Sequence, residues 1–99
     1  MDRKINQEIV LERVVHDKNL NANEIRTILY ALKNQYFTSG QIINLFDCNA
    51  QYANQLITRL ERKNYLKKHS KLESSRRYIY TIIDDVAPSQ TTIDDFMQR

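Results

Sequence analysis

Apolar residues recur at helical spacing through the first two thirds of the chain. Ile25, Ile28, Leu29 and Leu32 follow the i, i+3, i+4, i+7 pattern of a helix that turns one stripe toward a core. Asn21 precedes this stripe and Glu24 follows Asn21 by three residues, which is the spacing of a capping box. The sequence therefore predicts a helix that begins at Asn21.

An earlier amphipathic helix is predicted over residues 4–16. Its apolar positions fall on neighbouring faces of a helix and are Ile5, Ile9, Val10, Val14 and Val15. Two alternatives stay open for this helix, which can pack on the rest of the domain or on a second copy of the chain.

A short helix, a tight turn and a longer helix are predicted between residues 38 and 64. Thr38 and Gln41 have the spacing of a second capping box, and apolar residues follow it up to Phe46. Asn49, after the turn at residues 47–49, is a favourable N-cap for a helix with a buried stripe of Ala53, Leu56, Ile57 and Leu60. Asn64 tolerates the left-handed conformation in which helices often end.

Two β-strands are predicted next, over residues 65–69 and 77–83, because both runs are rich in β-branched and aromatic residues. The polar run 70–75 between them predicts the loop of a hairpin. Alternation places Tyr78, Tyr80 and Ile82 on one face of the second strand, and Ile79 and Thr81 on the other.

Residues 38–82 resemble the winged helix-turn-helix family in the order of these elements. The resemblance implies an α+β, mostly helical fold with a two-stranded basic wing, in which 49–64 is the recognition helix and 65–82 the wing. It further implies that Tyr80 and Ile82 face the core, that Tyr36 and Phe37 form a short strand, and that Cys48 is buried. Most members have Gly where this chain has Asn64.

Three parts of the chain are expected. Residues 1–20 would be an N-terminal amphipathic helix and dimer element, 21–83 the winged helix domain, and 84–99 a linker with a tail. Ninety-nine residues, of which 41% are hydrophobic, suit one small domain. No apolar run approaches the length of a membrane span and no signal peptide is recognisable, so a cytoplasmic or nucleoid-associated protein is expected.

The net charge is only +3, but the positive charge is unevenly distributed. Basic residues outnumber acidic ones between residues 59 and 83, at the end of the recognition helix and in the wing. They are Arg59, Arg62, Lys63, Lys67, Lys68, Lys71, Arg76 and Arg77, against Glu61 and Glu73. Two adjacent basic elements are what a phosphate backbone attracts, so double-stranded DNA is the expected partner, bound by a homodimer.

The winged-helix pattern implies two sets of DNA contacts. Base readout would come from the outward face of the recognition helix, at Gln51, Tyr52, Asn54, Gln55, Thr58 and Arg59. Backbone contacts would come from Thr38, Ser39, Lys67, Lys68, His69, Lys71, Arg76 and Arg77. A sequence-specific transcriptional regulator or a plasmid or viral DNA-binding factor is therefore predicted. The alternative use of the fold is for protein contacts alone.

The C-terminal tail resembles the short peptide by which archaeal and eukaryotic replication proteins bind the sliding clamp, PCNA. That peptide has Gln, an aliphatic residue three positions later and two aromatic residues after two more positions. Gln90, Ile93 and Phe96 match it, whereas Met97 replaces the second aromatic residue. The resemblance implies a replication or repair accessory factor. The alternative is a terminal helix that packs on the domain or across a dimer.

Enzymatic chemistry is not expected. His16 and His69 have no ligand spacing, and Cys48, as the single cysteine, can form neither an internal disulfide nor a cysteine-based zinc site. Gly40 is the only glycine, which excludes a glycine-rich phosphate loop. The sequence therefore predicts no cofactor, no metal and no catalytic residue.

Overall fold

The computed structural model describes residues 4–71 and 78–86. Within these ranges four α-helices and three β-strands follow each other along the chain. They are α1 (Gln7–His16), α2 (Ala22–Asn34), β1 (Tyr36–Phe37), α3 (Ser39–Phe46), α4 (Ala50–Arg62), β2 (Leu66–Lys71) and β3 (Tyr78–Ile82). Helix α1 begins at Gln7, after the Asn6 cap, and so is shorter at its N-terminus than the predicted helix.

The predicted helix starts are confirmed by their capping contacts. The Asn21 side chain accepts a hydrogen bond from the backbone N–H of Glu24 at 2.8 Å, and the Glu24 carboxylate accepts one from the N–H of Asn21 at 2.9 Å. At α3, the Gln41 side chain accepts from the N–H of Thr38 at 2.9 Å. At α4, the Asn49 side chain accepts from the N–H of Tyr52 at 2.8 Å. Each contact satisfies a backbone donor that the first helical turn leaves free.

Asn64 ends helix α4 in the predicted way, with a left-handed φ of 64°. The N–H of Tyr65 donates to the Leu60 carbonyl at 2.9 Å and the N–H of Asn64 donates to the Glu61 carbonyl at 3.1 Å. These two bonds form a Schellman motif, which satisfies carbonyls at the end of the helix. Because the N–H of Tyr65 is used here, β2 begins one residue later, at Leu66.

The three strands form an antiparallel sheet in the order β1-β3-β2. The short strand expected at Tyr36 and Phe37 is present, and Phe37 is opposite Tyr80. Strand β2 extends to Lys71, so the predicted start of the loop at residue 70 was two residues too early. The register shifts between Lys68 and Ser70, where a β-bulge interrupts the pairing with β3.

The core lies between the helices and one face of the sheet. Tyr80 and Ile82 are buried as predicted, whereas Tyr78 is exposed. Thr81, on the opposite face, is also buried, and its hydroxyl donates to the Gln35 carbonyl at 2.9 Å. Cys48 is half-buried and packs against this core.

Helix α1 packs on the same core through the buried side chain of Val10, and Ile5, which precedes the helix, is buried there as well. The other side of the helix carries Leu11 and Val15, which are 41% and 75% exposed. One of the two alternatives, packing on the domain, is therefore realised, and an apolar strip remains at the surface. None of the helices in residues 4–71 and 78–86 combines the length and the apolar character needed to cross a membrane.

Candidate nucleic-acid interface

Helix α4 presents a continuous polar face to solvent. Its buried stripe of Ala53, Leu56, Ile57 and Leu60 fixes the rotation of the helix against the core. The residues on the opposite side are therefore exposed, and five of the six predicted base-reading residues are among them: Gln51, Asn54, Gln55, Thr58 and Arg59. The helix thus displays amide, hydroxyl and guanidinium groups with no large apolar side chain among them.

Arg62 belongs to the same face and was omitted from the predicted contacts. It is exposed and continues the row formed by Gln51, Gln55 and Thr58 at spacings of four, three and four residues. The helical spacing itself could have identified it. A guanidinium at this position adds a positive charge at the C-terminal end of the polar row.

Tyr52 differs from the other predicted base-reading residues because its side chain is half-buried. Its hydroxyl accepts a hydrogen bond from the Asn23 side chain at 2.6 Å, which links α4 to α2. The sequence pattern predicted Tyr52 to lie on the outward face with the others, because it does not show this contact with a residue 29 positions earlier.

Thr38 and Ser39 lie at the start of α3 and are both half-buried. The N–H of Thr38 is occupied by the Gln41 side chain. Their hydroxyls are next to the N-terminus of the helix, whose partial positive charge favours an anion such as a phosphate.

Two of the predicted wing cations, Lys67 and Lys68, are exposed on β2. The Lys68 ammonium lies 3.1 Å from a carboxylate oxygen of Glu61 on α4, and 5.2 Å from the centre of the Tyr78 ring. The hydrogen bond that Lys68 donates to Glu61 stabilises the charged form of the ammonium and raises the pKa of Lys68. The pair joins α4 to the wing, and Glu61 offsets part of the charge that Lys68 would offer a phosphate.

His69 occupies the β-bulge of the wing. Its ring lies 4.7 Å from the Tyr36 ring, centre to centre, and its Nδ1 is 3.3 Å from the Ser70 hydroxyl. Lys71 ends β2, whereas Arg76 and Arg77 lie outside the described residues. The predicted backbone contacts at those two arginines therefore stay predictions.

Lys63 does not contribute to the exposed basic surface. Its ammonium lies 3.0 and 3.1 Å from the two carboxylate oxygens of Glu24, which is buried, and it donates to the Asn19 carbonyl at 2.7 Å. The sequence counted Lys63 within the basic excess, but its charge points toward the N-terminal part of the domain.

The residues of the predicted clamp-binding peptide, Gln90, Ile93, Phe96 and Met97, lie outside the described residues. That interpretation of the tail and the alternative of a packed terminal helix both stay predictions. In residues 4–71 and 78–86, no group of three or more His, Cys, Asp or Glu side chains could hold a metal ion.

Comparison with solved structures identifies proteins of the same shape. FabT from Streptococcus pneumoniae, in complex with DNA, has a TM-score of 0.61 and 19% sequence identity, over 95% of this chain and 66% of FabT. A MepR-DNA complex from S. aureus has a TM-score of 0.64 and 16% identity, over 94% of this chain and 78% of MepR. The transcriptional regulator Tm0710 from Thermotoga maritima has a TM-score of 0.63 and 17% identity, over 94% and 65%.

The chain is shorter than these proteins, and it spans only 57% of the YusO protein from Bacillus subtilis, with a TM-score of 0.62 and 15% identity. No protein-family model and no curated protein matches the sequence. The likeness is therefore one of fold, and it confirms the expected α+β, mostly helical class. By its helices, its three-stranded sheet and these comparisons, the chain has the winged helix-turn-helix fold.

Proposed function

We propose that this protein binds double-stranded DNA sequence-specifically and regulates transcription, with α4 in the major groove and the wing along the phosphate backbone. The observation that carries the proposal is the polar face of α4. The residues that the helix exposes have the functional groups that read base edges, and they are presented by the fold in which FabT and MepR have been crystallised with DNA.

The side chains of this face suit particular bases. Asn54 and Gln55 can each form two hydrogen bonds with adenine, and Arg59 can form two with guanine. Thr58 can contact a thymine methyl group or a phosphate. Arg62, at the end of the row, would contact a phosphate or a further guanine.

Contacts with the phosphate backbone are assigned to the flanking elements. They comprise Thr38 and Ser39 at the start of α3 and the wing residues Lys67, Lys68, His69, Lys71, Arg76 and Arg77. Such contacts fix the position of the protein on the duplex but do not distinguish sequences.

A homodimer is part of the proposal. One small module supplies modest affinity, and two modules on two half-sites supply more. Leu11 and Val15 form an exposed apolar strip on α1 that a second copy of the chain would cover. Sedimentation of the protein with and without DNA measures the oligomeric state directly. Replacement of Val15 by Ser should shift the equilibrium between dimer and monomer toward the monomer.

The proposal is tested by binding to random duplex DNA over a range of salt concentrations, followed by selection of preferred sites from a random pool. We expect affinity to fall steeply with salt, because each phosphate contact contributes a slope of about −0.9 in log K against log salt. Asn54→Ala and Gln55→Ala should each weaken binding to the selected site by roughly 1 to 3 kcal/mol and leave binding to random duplex nearly unchanged.

Gln7→Ala is a suitable control, since it removes an exposed amide from α1, away from α4. Binding that is absent or independent of salt would refute the proposal and favour a winged helix used for protein contacts. Selection of the same sites by the parent and by both α4 variants would show that these amides do not read bases.

A further inference from the structure

The C-terminal end of α4 is held by residues from the N-terminal part of the chain. Arg13, on α1, donates from one guanidinium nitrogen to the Asn64 carbonyl at 2.7 Å and from the other to the Lys63 carbonyl at 3.0 Å. The same guanidinium lies 3.9 Å from the centre of the Tyr65 ring. A cation at these carbonyls interacts favourably with the negative end of the helix dipole.

Two further contacts join the same parts of the chain. The Tyr65 hydroxyl, at the start of the wing, donates to the Asp17 carboxylate at 2.8 Å. The Lys63 ammonium reaches the Asn19 carbonyl and the buried Glu24 carboxylate, as described above. We call these seven residues the junction cluster: Arg13, Asp17, Asn19 and Glu24 on one side, and Lys63, Asn64 and Tyr65 on the other.

The junction cluster lies between α4 and the wing, the two elements that are proposed to contact DNA. Residues 63–65 connect α4 to β2, so a change in their position would tilt the recognition helix and the wing relative to each other. Arg13 contacts both carbonyls at once through a planar, rigid fork, which fixes an angle as well as a distance. The Arg13 guanidinium is engaged by these two carbonyls and the Tyr65 ring, and its residue belongs to α1 and not to the exposed polar face of α4.

We propose that Arg13 is a positioning residue for sequence reading, which orients α4 and the wing without touching DNA itself. The inference rests on the proposed function. Base readout depends on placing amide and guanidinium groups within hydrogen-bonding distance of base edges, whereas phosphate attraction tolerates a less exact position. Loss of Arg13 should therefore reduce the discrimination between sites more than the attraction to DNA.

The experiment measures the affinity of full-length variants for the site selected by the parent protein and for random duplex DNA. We expect Arg13→Gln to weaken binding to the selected site by about tenfold, comparable to the loss of one good base contact. Binding to random duplex should stay within about twofold of the control, because the phosphate-contacting residues are intact. Arg13→Lys should recover part of the loss, since an ammonium keeps the charge and can donate to the carbonyls but lacks the planar, rigid fork of the guanidinium.

Arg26→Gln is the matched control. Arg26 also lies over an aromatic ring, that of Phe46, at 4.7 Å, and its replacement removes the same charge. Arg26 is on α2 and its ring partner ends α3, so the pair does not hold the end of α4. The control should leave the ratio of the two affinities unchanged.

Tyr65→Phe keeps the proposal testable where Arg13→Gln does not fold. It retains the ring beside Arg13 and removes only the hydrogen bond to Asp17. It should therefore lower the site preference in the same direction by about threefold, less than Arg13→Gln, because the two bonds from Arg13 remain. An unchanged ratio in the folded variants, or equal losses on both DNAs, would overturn the inference. A parent protein that selects no site would instead refute the proposed function.

Discussion

The ion pair between Lys63 and Glu24 gives the sharpest test of how the domain is held together. Glu24 is 1% exposed, and its carboxylate accepts hydrogen bonds from the N–H of Asn21 and from Lys63. Lys63→Met keeps the length and apolar part of the side chain but removes the ammonium. The Glu24 carboxylate would then be buried with one hydrogen bond from Asn21 and no countercharge.

Breaking a buried pair on one side typically costs 3 to 5 kcal/mol, because a buried charge is left without compensation. The Lys63 side chain is 31% exposed, so water screens part of the interaction and can reach the carboxylate after the substitution. We therefore expect Lys63→Met to lower the free energy of unfolding by about 2 to 3 kcal/mol. For a chain of this size that corresponds to a fall in Tm of about 10 to 20 °C.

Thermal and urea unfolding, followed by circular dichroism, measure this loss. Lys67→Met is the control, because Lys67 is exposed on β2 and its replacement should change stability by less than about 0.5 kcal/mol. Adding Glu24→Gln to Lys63→Met should restore much of the stability, since glutamine preserves the capping hydrogen bond without a buried charge. Equal stability of Lys63→Met and Lys67→Met would refute the assignment, as would a double variant in which the two losses simply add.

Two further predictions concern the wing. Glu61→Gln should tighten binding to random duplex about two- to fivefold and increase the salt slope by up to about one, because it frees Lys68 for a phosphate. Glu8→Gln, which makes an equal charge change on α1, is the control. Weaker binding by the Glu61 variant would refute this prediction. Burial and the hydrogen bond to Asp17 raise the pKa of Tyr65 above its usual value, so the unfolded chain releases this proton at a lower pH than the folded one. The contribution of Tyr65 to the free energy of unfolding should therefore be complete below about pH 10 and decline above it. Urea unfolding at a series of pH values should show a shallower decline for Tyr65→Phe than for the parent protein. Equal slopes against pH in the two proteins would contradict a role for the Tyr65 hydroxyl.

Local signals in the sequence were sufficient to predict the helices. A capping box such as Asn21 with Glu24 involves residues three positions apart, and an N-cap such as Asn49 acts on the next turn, so both are readable without knowledge of the fold. The same holds for the left-handed residue Asn64, and for the buried positions Tyr80 and Ile82 once the strand was placed in the resembled fold.

The pairing of charged groups could not be predicted in this way. Lys63 and Glu24 are separated by 39 positions, and Lys68 and Glu61 lie on different elements. A count of charged residues along the sequence treats each of these lysines as unpaired, although the fold brings each one to a carboxylate. The position of the β-bulge at His69 is also a property of the pairing between two strands, and neither strand alone encodes it.

The pairing of Lys63 and Lys68 with carboxylates would affect how strongly the protein prefers one DNA sequence over others. Lys63 is directed into the junction cluster and Lys68 is joined to Glu61, whereas Arg59 and Arg62 on the polar face and Lys67 on β2 are exposed. A surface with many free lysines attracts all DNA sequences equally, because phosphate contacts carry no sequence information. Holding two lysines in intramolecular pairs lowers this general attraction while the amides of α4 keep their contribution to the preferred site. Specificity is the ratio of the two affinities, so the same ion pairs that stabilise the fold would also increase it.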